Sequence, residues 1–286
     1  MKISDNIIIF YKGSKIYELN TNLKTISLGS SIIDGSRPFS FTKISNLKNF
    51  DDGVYFGSYI HNPNINPVSI YKRIKEDVWD VVYTFSAGEI EHVHNIIVDP
   101  YKDLLYILTG DFKNASAIWI AKNNFSEVIP VLRGNQIYRG CVGSVSSKGL
   151  LYATDTPFEN NSIRLLTTVN DNWISKKICY INGPSIYGCK WNDETVFSTS
   201  VESDGFVKPS LTYKLFGNKR GKGIKENYCI VYKGNVEKGF KEIYRVKKDS
   251  LPFYLFQFGV LIFPSGINNS LFLPIYHIAT EGSLNM

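Results

Sequence analysis

The sequence predicts an all-β fold, a single β-propeller of four-stranded blades spanning residues 1–286, and three observations predict it. A strand–turn–strand unit recurs: residues 88–111 (GEIEHVHNIIVDPYKDLLYILTGD) match residues 135–156 (NQIYRGCVGSVSSKGLLYATDT), so that Leu104-Leu105-Tyr106 falls on Leu150-Leu151-Tyr152. Tyr and Phe number 18 each and Met only 2, a mixture that favours strands over helices. No segment sustains the 3.6-residue apolar period of an amphipathic helix, which excludes an α/β fold.

Taken in order along the chain, hairpin units begin at Ser14, Val68, Ser116, Asn161 and Cys229, each with two β-rich runs around a short polar turn. A further strand pair precedes the later units, as in residues 187–200. The stretch from Val260 repeats the one from Leu150. Six blades are expected, with five as the alternative, and the N-terminal blade is expected to lack its first strand and the C-terminal blade its last. The segment 217–227 reads as a protruding loop, and its basic run Lys219 to Lys225 as a solvated hairpin tip.

The chain is 43% hydrophobic and 20% charged with a net charge of +6, an ordinary globular balance that points to no nucleic-acid partner. The opening apolar run Ile7 to Tyr11 is too short for a signal-peptide core or a membrane span, and the chain reads as cytoplasmic. Cys141, Cys179, Cys189 and Cys229 lie in apolar strand patterns without C-x-x-C spacing and read as small core residues. GNKRGKGIK lacks the phosphate-loop pattern and no G-x-G-x-x-G follows a strand, so no nucleotide or other cofactor is expected.

Chemistry-bearing residues cluster at the strand ends of the two matched copies. His92 and His94, two apart on a strand, project from one face, as an acid–base pair, as two metal ligands, or as hydrogen-bonded fillers of a narrow channel. No metal is expected from the sequence. In an antiparallel pair the start of the first strand and the end of the second share an edge, so His92, His94, Asp111, Tyr138, Arg139 and Asp155 are expected on one face. Asp111 and Asp155 also suit turn capping. Arg139 must be paired or face a ligand, because an unpaired buried guanidinium is costly. Arg37 is its counterpart earlier in the chain, and Tyr187 completes the expected ring. His61 lies in a loop that could overhang the pocket, and His277 belongs to the packing of the last blade.

The polar turns Asn123-Asn124-Phe125, Asn170-Asp171-Asn172-Trp173 and Glu76-Asp77-Val78-Trp79 resemble worn copies of the S-x-D-x-G-x-x-W Asp-box. The segment HVHNIIVDPYKDLLYILTGD, with the later QIYRG and ATDT, is similar to sialidase-like (BNR-type) bacterial propellers often linked to exopolysaccharide and capsule gene clusters. That similarity covers roughly residues 88–160. The resemblance implies a connection with glycans and supplies no particular reaction.

Arginines clamp carboxylates and tyrosines stack on sugar faces, so the expected ligand is an acidic bacterial saccharide or its precursor. If the protein is an enzyme, the expected chemistry is that of a polysaccharide lyase. A histidine would be the base, Tyr138 or the second histidine the acid, and Arg139 the group that neutralises the substrate carboxylate. Two alternatives stand beside it: a glycoside hydrolase using Asp111 and Asp155 at a separation of roughly 5 to 10 Å, and a non-catalytic scaffold or interaction propeller.

Overall fold

Alternation of β-branched and aromatic residues with short polar turns produces antiparallel meanders, and the computed structural model contains five of them. It describes residues 1–31, 35–111, 113–204, 210–264 and 266–281. The fold is an all-β propeller with four-stranded blades, in two compact units, Met1–Tyr138 and Arg139–Met286.

The first unit holds three blades. Blade one is β1 (Lys2–Ser4), β2 (Ile7–Lys12), β3 (Lys15–Asn20) and β4 (Thr25–Ile26). Blade two is β5 (Thr42–Ile44), β6 (Gly53–Gly57), β7 (Val68–Lys75) and β8 (Val78–Phe85). Blade three is β9 (His92–Asp99), β10 (Leu104–Gly110), β11 (Ala117–Lys122) and β12 (Glu127–Arg133). Blade one thus has its first strand, contrary to the sequence expectation: Lys2–Ser4 is too short to show alternation, yet it pairs with β2.

The second unit holds two further four-stranded meanders. One is β13 (Gly140–Ser146), β14 (Gly149–Thr154), β15 (Ser162–Val169) and β16 (Asn172–Tyr180). The other is β17 (Tyr187–Trp191), β18 (Glu194–Ser198), β19 (Tyr228–Asn235) and β20 (Gly239–Lys247). The last repeat forms no full blade among the described residues. Its β21 (Val260–Ile262) and β23 (Tyr276–Ile278) make a two-stranded sheet, while β22 (Ile267–Asn268) adds parallel to β17. Ser265, inside that repeat, lies outside the described residues.

The blades bury aromatic and branched residues on both faces. Between blades two and three lie Tyr55, Ile70, Phe85, Val93, Leu105, Ile107 and Trp119, with the Phe85 and Trp119 rings 5.0 Å apart at 72°. Phe56, Tyr71 and Ile16 pack between blades one and two. In the second unit, Val142, Leu151, Ile163 and Phe197 join its two blades, and Val231, Leu261 and Phe263 join the later blade to the last sheet. The turns resembling Asp-boxes are third-to-fourth-strand connections, where Asp77, Asn123, Asn124, Asn170 and Asp171 take positive φ. Phe125 also does so and is buried against Phe50 and Tyr55.

In each of the four outermost hairpins, β7–β8, β11–β12, β15–β16 and β19–β20, the register slips once or more. Blade one instead ends in a fourth strand of two residues.

Segment 217–227 is not a protruding hairpin tip. Its backbone is bound along its length, with Gly221 donating to Glu202 O, Gly223 to Pro157 O and Lys225 to Asn182 O, and Ile224 is buried. Gly223 explains the close approach, because a Cβ there would stand 2.1 Å from Glu159 O. The cysteines are free, with Cys141, Cys189 and Cys229 buried. Burial pushes the Cys189 thiol up to about 11. Among the described residues no helix is long and apolar enough to cross a membrane.

A forked ion pair ties blade one to blade two. Arg73 Nε and Nη2 donate to Glu18 Oε1 and Oε2 at 2.6 and 2.8 Å, and Glu18 is buried. Replacing Arg73 by alanine strands that carboxylate, and we expect a loss of about 3 kcal/mol. Urea unfolding should show this as a lower midpoint at unchanged slope.

Candidate functional site

The middle strands of blade three are covered on both faces, and its histidine–aspartate cluster stands at strand ends. All seven residues of β10 are buried, and only beyond Gly110 does the chain reach a half-exposed side chain, Asp111. At the same end of the blade, β9 begins with His92 opposite Gly110. The pairing then slips between Leu108 and Thr109, so that Val93 faces Thr109 and Asn95 faces Leu108 while His94 is the extra residue. A bulge of this kind re-aims a side chain. Here it brings two imidazoles to one point.

Gly110 makes room for them: a Cβ on it would stand 2.2 Å from His94 Cε1 and 2.6 Å from Nε2. His92 Nε2 and His94 Nε2 are 2.9 Å apart, and Asp111 Oδ1 is 3.4 Å from the first and 3.2 Å from the second. The histidines are 4% and 2% exposed, whereas the Asp111 side chain is 23% exposed and forms the solvent side of the cluster.

The hydrogen bonds assign the protons. His92 Nδ1 lies 3.1 Å from Ile60 O, and a carbonyl can only accept, so the proton of neutral His92 sits on Nδ1 and its Nε2 carries a lone pair. His94 Nε2 then faces two acceptors, His92 Nε2 and Asp111 Oδ1, with a single N–H. The Asp111 backbone is held from both sides, its N–H donating to Glu91 Oε2 at 3.3 Å and its carbonyl accepting from Gln136 Nε2 at 2.8 Å. Two imidazole nitrogens and a carboxylate oxygen are the donor set of a proton relay and equally of a metal centre.

Around this cluster lies an aromatic shelf that carries a cation. The Tyr59 ring is 4.5 Å from His92 and 6.0 Å from His94, and Phe39 is 5.0 Å from Tyr59. Arg37 is exposed, its guanidinium 5.5 Å from the Tyr59 ring centre and its Nε donating to Tyr59 O at 3.2 Å. Among the described residues no carboxylate pairs with Arg37.

The other sequence-predicted residues fall as follows. Tyr138 is half-buried and ends a single 3-10 turn, Gln136–Tyr138, in the first unit. Arg139 and Asp155 meet in the second unit: Arg139 Nη2 is 3.2 Å from Asp155 Oδ2, both side chains are under a tenth exposed, and the Asp155 amide donates to Arg139 O. Cys141 Sγ donates to the same Asp155 oxygen at 3.2 Å. Tyr187, half-buried in the second unit, has its hydroxyl pKa raised by burial and by the nearby Cys141 and Glu202. His61 is exposed, and His277 sits in β23 with Nε2 3.3 Å from Tyr244 Oη.

Sequence reasoning missed Tyr59, Glu91 and Gln136. A signal for Tyr59 was present, because it lies just past the end of the second strand of blade two, one residue further out than Asp111 in blade three. Glu91 and Gln136 act through backbone partners, which no motif announces.

The chain matches no protein-family model and no curated protein. Among solved structures it is similar to a chain of the crystal structure of the Nidogen/Laminin complex, at 11% identity and a TM-score of 0.54, covering 95% of this chain and 84% of that one. It is also similar to the Neurospora crassa Pan2 WD40 domain, at 12% identity and a TM-score of 0.51, covering 85% of this chain and 63% of that one. Likeness at this identity is a likeness of fold.

The Gly110 contact gives a direct test of how the site is shaped. In Gly110→Ala the new methyl displaces the His94 ring, and we expect about 1–3 kcal/mol of destabilisation. Imidazole NMR signals should move for His92 and His94 and stay in place for His61. Unchanged His94 signals would show that the cluster does not need the missing Cβ.

Proposed function

We propose that this propeller binds an acidic saccharide at the His92–His94–Asp111 face of its first unit. The observation that carries the reading is the exposed Arg37 guanidinium lying on the Tyr59 ring beside the two imidazoles. A cation and an aromatic face side by side suit a sugar that bears a carboxylate, with the fork of Arg37 on the acid and Tyr59 or Phe39 against the ring. The half-exposed Asp111 accepts hydrogen bonds from sugar hydroxyls.

Capture of the saccharide is the reading this geometry supports best. The lyase scheme needs Arg139 to neutralise a substrate carboxylate, but Arg139 is buried and engaged by Asp155. The same ion pair occupies the carboxylate that the hydrolase scheme requires of Asp155. The resemblance to sialidase-like propellers linked to exopolysaccharide and capsule clusters favours a bacterial polymer or its precursor as the source of the sugar.

The test is calorimetric titration with uronic-acid oligosaccharides and with their neutral counterparts. Acidic ligands should bind and neutral ones bind more weakly, with Arg37→Ala weakening the acidic ligand by about 10-fold, or about 1.4 kcal/mol. Tyr59→Ala should weaken both ligand types. Equal affinity for acidic and neutral sugars, or an Arg37→Ala variant that binds like the parent, removes this reading; ultraviolet absorbance of unsaturated products in the same mixtures would revive the lyase scheme.

A further inference from the structure

We infer that His92, His94 and Asp111 form a binding site for a first-row divalent metal ion of the zinc type, each residue giving one ligand atom. The inference stands on the geometry of the three atoms and does not depend on the saccharide reading.

An ion about 2.1 Å from each of three ligands separates them by about 3.0 Å if the angles are octahedral and about 3.4 Å if they are tetrahedral. The observed separations are 2.9, 3.2 and 3.4 Å, all inside or within 0.1 Å of that range. The imidazole planes are tilted by 42° with centroids 4.8 Å apart, so neither ring stacks over the other's nitrogen.

The protons argue in the same direction. With His92 Nδ1–H given to Ile60 O, the three atoms that converge are a lone pair on His92 Nε2, a carboxylate oxygen, and His94 Nε2. With the proton of His94 on Nδ1, all three atoms present a lone pair to one point, as the ligands of a single cation must. A divalent cation satisfies all three at once.

The surroundings are those of a built centre. The carbonyl on His92 Nδ1 fixes ring and tautomer, as second-layer partners of metal-bound histidines do. Glu91 and Gln136 hold the Asp111 backbone, and Gly110 leaves the space that the His94 ring fills. Three protein ligands, two nitrogens and one oxygen, leave further positions open on the Asp111 side, where the side chain reaches solvent. This is the pattern of a centre that takes an exchangeable ligand and not of a closed structural one.

Zinc chloride titrated by calorimetry into the chelator-treated full chain, with metal content measured after dialysis, should give about one equivalent bound. His92→Gln and Asp111→Asn, with folding checked by circular dichroism, should each lower affinity at least 10-fold, while His61→Ala, in an exposed loop, should bind like the parent. If either variant fails to fold, X-ray absorption of the parent loaded with zinc decides the matter, and two imidazoles per ion are expected. No binding tighter than millimolar, affinity unchanged in both folded variants, or a zinc shell without imidazole overturns the inference. Zinc binding without saccharide binding would leave the metal site standing and remove the saccharide reading, and the reverse result would do the opposite.

Discussion

A sheet that is apolar on both faces is stable only when something covers each face, and this constraint governs the whole chain. It is why Tyr55, Tyr106, Tyr152, Phe56, Phe85, Phe197 and Trp119 are among the largest fully buried side chains, and why β10 and β14 contain no exposed residue at all. Asp99 shows how a carboxylate is admitted to these layers. It is wholly buried, yet its carboxylate accepts the amides of Tyr101 and Lys102 and the hydroxyl of Tyr106, turning the D-P-Y-K-D connection back on itself. The same constraint pushes reactive side chains to the first residue of an edge strand or the first residue beyond a central one, where His92, Asp111 and Asp155 stand.

The two polar clusters at such strand ends have opposite characters. In the second unit the charges of Arg139 and Asp155 face each other in a buried ion pair at the strand ends. In the first unit one carboxylate faces two imidazoles that bring no fixed cation, and the Arg37 guanidinium, against the Tyr59 ring, is exposed. The aspartate that follows the second strand of the repeated unit is thus paired with an arginine in one copy and with two histidines in the other.

How much of this could be read from the sequence follows from what the signals depend on. The blade pattern was legible because strand alternation and Asn- or Asp-rich turns are local, and the match of Leu104-Leu105-Tyr106 with Leu150-Leu151-Tyr152 placed the second strands of two blades correctly. The convergence of His92, His94 and Asp111 was legible for the same reason, through antiparallel pairing. What escaped was whatever depends on register or on distant backbone. The bulge at His94 is one extra residue that no composition reveals, and the two-residue β22 joins β17 from a repeat expected to form its own blade. Segment 217–227 looked like a loose basic loop because its glycines and lysines carry that signature. Its carbonyl partners, Glu202, Pro157 and Asn182, lie elsewhere in the chain.

The slipped registers of the outermost hairpins bear on a matter separate from ligand recognition, namely how the molecule behaves in a crowd. The last strand of a blade offers a row of unpaired amides and carbonyls, an invitation to a second copy to extend the sheet. Here β8, β12, β16 and β20 are each bent by a bulge. β12 also carries Pro130, β16 carries Lys176 and Lys177, β20 carries Lys241 and Arg245, and the corresponding strand of blade one is two residues long. A chain with 43% hydrophobic residues and aromatic layers throughout thereby presents few flat edges on which sheet could grow on sheet, and its colloidal stability rests on irregularities that add nothing to the blades themselves.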